Sequence, residues 1–218
     1  MRLPRRLLNA LATIHFPGSA RYWEWRYASG GDSGEGSYGA EAGYKRDFIN
    51  GCLAEHGIRS VIDFGCGDGN QLQGMTLPEY RGFDVSRAAV ARCRAAYAGD
   101  AGKSFHHVDE YRGDTADAAL SLDVLYHLTE DEVFDDYLDR LFGAAERLVI
   151  IYAVDQDERR VLKGRHVRFR RFTDTIARRF PEFLLVASPP RPEHLVKVSG
   201  ESGASFFVFE RSVPCKPK

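Results

Sequence analysis

From residue 44 onward, apolar positions alternate between two rhythms. KRDFINGCLAEHG puts Phe48, Ile49, Cys52 and Leu53 on one side of a helix, with Gly57 at its C-terminal stop. SVIDF is a short apolar strand ended by the glycine run GCGDG, and RGFDV is a second strand. SRAAVARCRAAYAG follows as a helix, with Ser86 as N-cap and Gly99 beyond its end. KSFHHV and AALSL are the third and fourth strands, DEVFDDYLDRLFGAA an amphipathic helix, and RLVIIYAV a buried fifth strand. FTDTIARRF is a last helix, and FLLVA and ASFFVFE are two further strands. Strands alternating with helices specify βαβ units on a parallel sheet. The expectation is an α/β fold with a doubly wound, seven-stranded, mostly parallel sheet and an antiparallel last strand.

The segment before residue 44 has another texture. SGGDSGEGSYGAEAG, residues 29–43, is too rich in glycine and serine to be regular throughout. It reads as a linker or a mobile lid, dividing a capping segment (1–43) from the main domain (44–218). Tyr22, Trp23, Trp25 and Tyr27 precede it, and such a cluster of aromatics packs on something. In MRLPRRLLNALATIHF, Leu7, Leu8, Leu11 and Ile14 have amphipathic-helix spacing, while Asn9, Thr13 and His15 break the apolar run that a signal peptide needs. A docking helix is the favoured reading, with a membrane-surface contact as the alternative.

The sharpest local pattern is VIDFGCGDGNQL, residues 61–72. A strand delivers the chain to a turn whose glycines permit positive φ and close approach to a ligand. A following helix is expected to offer unpaired N–H groups there. A dinucleotide fingerprint needs G-x-G-x-x-G beside a pyrophosphate. Here the glycines are Gly65, Gly67 and Gly69, position 70 is Asn, and Asp63 ends the strand. A carboxylate sits poorly beside a pyrophosphate and suits an ammonium. Asp84, about 20 residues further on, ends the next strand, where an acid accepts hydrogen bonds from ribose hydroxyls.

D-F-G-C-G-D-G-N resembles motif I of the class I S-adenosylmethionine methyltransferases, and G-F-D-V-S resembles their second motif. SLDVLYHL is similar to the segment that closes their fourth strand. The resemblance covers residues 44–155 and implies a Rossmann-like domain that binds S-adenosylmethionine. Residue by residue, it implies that Gly65 and Gly67 wrap the methionyl and ribose portion, with Cys66 as the small residue between them. Asp63 would anchor the amino group and Asp84 the ribose. Phe83 and Val85 would flank the adenine, and Asp109 would meet its exocyclic amine. The N-terminal SGGDSGEGSYG and the C-terminal third are similar to bacterial methyltransferases near cell-surface glycan genes.

Methyl transfer from a sulfonium asks the protein mainly for alignment and exclusion of water. Asp123 and His127 leave the fourth strand at the carboxyl edge of the sheet, where α/β ligands bind. His127 has the pKa range of a general base near neutrality, and Asp123 is a candidate for the acceptor or methionine site. Tyr126 is a further candidate. A histidine there also occurs as a purely structural residue, and both readings stay open. The proline-bearing motif of base methylation is absent. His106 and His107 are adjacent on a strand and face opposite ways, which argues against a metal site.

Composition adds limits. Apolar residues make up 44% and charged residues 28% of 218 residues, with a formal net charge of −1, so no global field recruits nucleic acid. Cys52, Cys66, Cys93 and Cys215 lack zinc or disulfide spacing, which fits a reduced, cytoplasmic setting. No run approaches the length of a membrane span. The local anomaly is ERRVLKGRHVRFRRF, residues 158–172. It reads as a solvated face or as a rim for an anionic acceptor, with RNA a weaker alternative. The sequence therefore points to a methyltransferase for a small-molecule or glycan acceptor, through oxygen or nitrogen. The rivals are an RNA methyltransferase, a non-catalytic cofactor-binding protein and a nicotinamide oxidoreductase.

Overall fold

The computed structural model describes residues 16–77, 79–156, 159–160, 166–192, 195 and 203–212. The expected docking helix near the N-terminus lies almost wholly outside them.

Seven strands form one sheet in the order β3-β2-β1-β4-β5-β9-β8. They are β1 (Ser60–Phe64), β2 (Glu79–Asp84), β3 (Lys103–His107), β4 (Ala116–Leu122), β5 (Ala145–Ala153), β8 (Phe183–Ala187) and β9 (Ser205–Arg211). β1 to β5 pair in parallel, and β9 runs antiparallel to both β5 and β8. The two-residue strands β6 (Arg159–Arg160) and β7 (Arg168–Phe169) pair separately. The expected Rossmann-like, doubly wound sheet with an antiparallel last strand is present.

Alternation along the strands divides the core between two faces. On β5, Leu148, Ile150 and Tyr152 face one side and Val149, Ile151 and Ala153 the other. Helices α2 (Gly39–Glu55) and α3 (Arg87–Ala96) cover the first face through Ile49, Cys52, Leu53, Val90 and Cys93. Helices α4 (Asp131–Ala144) and α5 (Phe172–Arg179) cover the second through Phe134, Leu138, Leu141, Phe172 and Ile176. Ser86 caps α3, its side chain accepting from the Ala89 amide. The order reverses between β1 and β4, and such a switch point opens a crevice at the carboxyl ends of the strands.

Three local features depart from expectation. YWEWRY lies in a helix, α1 (Ser19–Ala28), which buries little beyond Ser19 and Tyr27. Helix α2 starts inside the glycine-rich stretch, at Gly39. The glycine loop leads to a single tight turn, Asn70–Leu72, and not to an α-helix. Gly69 enters that turn left-handed at φ 79°, the Asn70 amide is taken by Asp68 Oδ1 at 3.1 Å, and Gly74, at φ 79°, breaks the chain again. The loop therefore presents no helix N-terminus.

Candidate active site

The switch-point crevice is a cavity of about 310 Å³. β1 contributes Asp63 and Phe64, and the loop beyond it Gly65, Cys66 and Gly67. Phe83, Asp84 and Val85 come from the end of β2, and Asp123, Val124 and His127 from beyond β4. Trp23, Tyr27 and Ser33 of the N-terminal segment close it from outside.

The loop is fixed by β2. The amides of Gly65 and Cys66 both donate to the Phe83 carbonyl, at 2.7 and 3.2 Å. Gly67, at φ 59°, donates its amide to Asp84 Oδ2 at 2.9 Å, and Ser86 donates to Asp84 Oδ1 at 2.8 Å. A Cβ on Gly67 would lie 2.4 Å from Ser33 Oγ and 2.8 Å from the Tyr27 hydroxyl, so the capping segment sits directly on the loop. Burial pushes the Asp84 carboxyl up to about 6, against the pull of those two amides. Each oxygen keeps a further lone pair for a hydroxyl donor.

Asp63 is fully buried. Its Oδ2 accepts from the Tyr80 hydroxyl at 2.8 Å, and its Oδ1 has no hydrogen-bond partner. Burial raises it to about 7, although the Tyr80 hydroxyl and the nearby Lys45 pull downward. An orphaned carboxylate oxygen on a cavity wall is a place for a cationic donor. The residues present thus fit the ammonium and ribose ends of S-adenosylmethionine.

Asp109 is not brought in. Its carboxylate is exposed, 3.7 Å from Arg87 and 3.2 Å from His107 Nδ1, and it does not line the cavity. Its amide donates to His107 Nδ1 at 3.3 Å, which turns the side chain outward. Val108 and Val85 line the wall there.

Asp123 is the only described non-glycine residue with positive φ, at 60°. Its amide donates to the Tyr152 carbonyl, Tyr126 donates to Oδ1 at 2.8 Å, and Lys45 Nζ lies 2.5 Å from Oδ2. Strain of this kind persists where surrounding contacts over-determine it. His127 Nδ1 lies 3.0 Å from the His166 carbonyl, which only a donor can satisfy, so Nε2 is the ring's acceptor. The rings of Trp23, Tyr126 and His166 surround it at 4.9, 4.5 and 5.5 Å. Burial drives its pKa down to about 4, outweighing the His166 carbonyl that favours the cation. His127 is therefore neutral at physiological pH, with Nε2 free to accept a proton but only weakly basic.

Two arginines of the basic stretch, Arg168 and Arg170, are committed internally. Arg168 donates to the Thr129 carbonyl, and Arg170 to those of Leu128 and Thr129 and to Asp131. These arginines hold the loop behind His127. Sequence reasoning missed Lys45 and Gln71. Lys45 was legible in principle, since its spacing to Ile49, Cys52 and Leu53 puts it on the buried stripe of α2.

Residues 62–162 match the family described as "Methyltransferase domain". The match and the fold make the chain similar to the S-adenosylmethionine-dependent class I methyltransferases. Solved structures share the fold at low identity. The N-methyltransferase NodS from Bradyrhizobium japonicum WM9, in complex with S-adenosylhomocysteine, is 14% identical with a TM-score of 0.67, covering 90% of this chain and 100% of that one. The 1,6-didemethyltoxoflavin-N1-methyltransferase of Burkholderia thailandensis is 16% identical with a TM-score of 0.65, covering 98% and 92%. The magnesium protoporphyrin IX methyltransferase of Synechocystis PCC 6803 is 18% identical with a TM-score of 0.58, covering 78% and 83%. No curated protein matches the sequence. Among the described residues, no helix is long and apolar enough to cross a membrane.

Proposed function

We propose that the protein is an S-adenosylmethionine-dependent methyltransferase that modifies oxygen or nitrogen on an uncharged small-molecule or glycan acceptor. The observation that carries this is the charge of the cavity wall. Asp63, Asp84, Asp123 and Asp136 line it, with Arg140 as the one lining cation among the described residues. Such a wall suits a cationic cofactor and repels an anionic acceptor. Arg168 and Arg170, the described arginines of the basic stretch nearest the site, serve the loop of residues 128–131 instead.

S-adenosylmethionine supplies a methyl group already activated as a sulfonium. In this reading Gly65, Cys66 and Gly67 form its cradle, Asp63 takes the ammonium, and Asp84 takes the ribose. Phe83, Val85 and Val108 flank the base. His127 accepts a hydrogen bond at Nε2 from the acceptor's O–H or N–H and so aims the nucleophile. Its depressed basicity makes it an orienting group, and the proton passes on to Asp123 or to solvent. Residues 1–43 act as a cap: α1 and the segment after it seal the cavity and exclude water. The buried thiols of Cys52, Cys66 and Cys93 suit a reducing cytoplasm.

Incubating the full chain with methyl-labelled S-adenosylmethionine and fractionated extracts tests this. Label should enter neutral small molecules or glycans. Label confined to RNA or to strongly anionic fractions would overturn the reading.

A further inference from the structure

Ser19, Ala20, Trp23 and Tyr27 fall on one side of α1, and all of them line the cavity. The face that a surface helix ordinarily sinks into a core is here turned to the site. Only Ser19 and Tyr27 of α1 are buried, so hydrophobic packing does little to hold the helix. At its N-terminus the hold is polar and falls on one residue.

Ser19 is bonded through both its amide and its hydroxyl. The amide donates to Glu130 Oε1 at 2.8 Å, which satisfies a helix-start donor that Gly18, at the N-cap, has no side chain to meet. The hydroxyl lies 2.7 Å from the His127 carbonyl and 2.5 Å from Glu130 Oε2, and it accepts from the Thr129 amide at 3.1 Å. Gly18, at φ 97°, permits this approach, since a Cβ there would lie 2.9 Å from Glu130 Oε1.

The segment held in this way carries the site histidine. Leu125–His127 is a single tight turn, with the His127 amide on the Val124 carbonyl at 2.8 Å. Arg170 and Arg168 take the Leu128 and Thr129 carbonyls. The His127 carbonyl and the Thr129 amide are met by Ser19, from the N-terminal segment. One turn along α1, the Trp23 ring stands edge-on to the His127 ring at 4.9 Å. Polar backbone groups stripped of their partners are costly, so this loop favours its present shape while α1 is docked.

We propose, on the reading of His127 as the group that aims the nucleophile, that docking of α1 and alignment of His127 are a single event joined by Ser19 as the positioning residue. The ring then comes into line only when the cavity is covered. An activated methyl group is not offered to an aligned nucleophile while water has access.

Nitrogen-detected NMR titration of His127 in the full chain tests this. Burial disfavours its cation most, and Arg26 of α1 adds repulsion, so undocking α1 relieves both. In Ser19→Ala the His127 pKa should rise from about 4 toward 6.5, and amide exchange over residues 19–28 should speed about tenfold or more. Gly18→Ala, which keeps the Ser19 hydroxyl and displaces Glu130, should do the same. Glu130→Gln, which keeps an acceptor for the Ser19 amide, should hold His127 near its wild-type value, whereas Glu130→Ala should raise it. Calorimetric affinity for S-adenosylhomocysteine should stay within about threefold in Ser19→Ala, because the glycine loop is untouched. Faster exchange over 19–28 with His127 still near 4, unchanged exchange, or a larger loss of S-adenosylhomocysteine affinity overturns the proposal. The reading of His127 fails separately, if His127→Gln transfers label to the neutral acceptor fraction as fast as the wild type.

Discussion

Ser33 and Asp68 exchange a reciprocal pair of hydrogen bonds: the Ser33 amide donates to Asp68 Oδ2 at 3.0 Å, and the Asp68 amide donates to Ser33 Oγ at 3.1 Å. The Tyr38 hydroxyl adds a third bond to the same carboxylate at 2.7 Å. Asp68 belongs to the glycine loop, and Ser33 and Tyr38 belong to the segment that covers it. Arg92 reinforces the contact by donating to the carbonyls of Gly31 and Tyr27. The covering segment and the glycine loop are thus one hydrogen-bonded unit.

Asp68→Asn should therefore loosen the cap without unfolding the domain. Burial works to raise the Asp68 pKa, yet bonds from Tyr38 and Ser33 outweigh it and hold the carboxyl below its usual range. Bonds to a charged group are worth roughly 1.5–3 kcal/mol, so removing the charge should speed amide exchange over residues 29–38 about tenfold or more. Hydrogen–deuterium exchange mass spectrometry reads this directly. Unchanged exchange there would mean that the cap is held by other contacts.

Cofactor affinity should rise with pH through about 7. Asp63 carries a carboxyl raised by burial to about 7, and an arriving ammonium requires its ionised form. Below that pH a proton must leave on binding, so affinity should change by up to about tenfold per pH unit. The sign for the free protein is opposite. A carboxyl raised from its ordinary value favours the folded state at low pH, and that contribution is lost as pH rises to about 7. The thermal shift given by S-adenosylhomocysteine should accordingly grow between pH 5.5 and pH 8, and the part of that growth due to Asp63 should vanish in Asp63→Asn. A shift independent of pH, or no such loss in Asp63→Asn, would sink the assignment.

Much of this was legible in the sequence, for local reasons. The core strands announced themselves by apolar runs, α3 by Ser86, and the crevice by its glycines and by Asp63 and Asp84. What stayed hidden depends on distant partners. YWEWRY has no apolar stripe of its own; Tyr27 is buried only because Arg92 and the glycine loop lie against it. Asp109 has the right place in the sequence, but the two-residue bond to His107 faces it outward. The arginines after β5 looked available for an anion because their partners, the carbonyls of Leu128 and Thr129, lie some forty residues earlier.

Those arginines should behave as structural groups. Arg170 donates at 2.6 Å to the Leu128 carbonyl and at 3.0 Å to Asp131, and its guanidinium lies 4.5 Å from the Phe134 ring centroid. Losing a mostly buried set of this kind costs about 1.5–3 kcal/mol, or several degrees in melting temperature for a chain of this size. Arg170→Ala should show that loss in a thermal melt, with Arg171→Ala, whose side chain is about half exposed, near wild type. The reverse order of effects would contradict the clamp.

His127 gives the most consequential test, since burial makes it a weaker base than an ordinary histidine. Burial lowers its pKa to about 4, and the Nδ1 bond to the His166 carbonyl fixes the neutral tautomer. The ring should therefore remain neutral down to about pH 5, with its proton on Nδ1, in a nitrogen-detected NMR titration. Stability follows with a definite sign. A histidine with a depressed folded pKa supports the fold fully above its ordinary value of 6.5 and loses that support as pH falls through about 4. Each unit across that window weighs about 1.4 kcal/mol at most. His127→Gln should flatten this part of the acid slope in urea titrations at pH 7, 5 and 4. As an orienting acceptor, the residue should contribute about tenfold to kcat, less than the 10²–10⁴ of a general base. A ring that titrates near 6.5, or a wild-type rate that falls as pH drops from 7 to 6 and is flat in His127→Gln, would restore the general-base role.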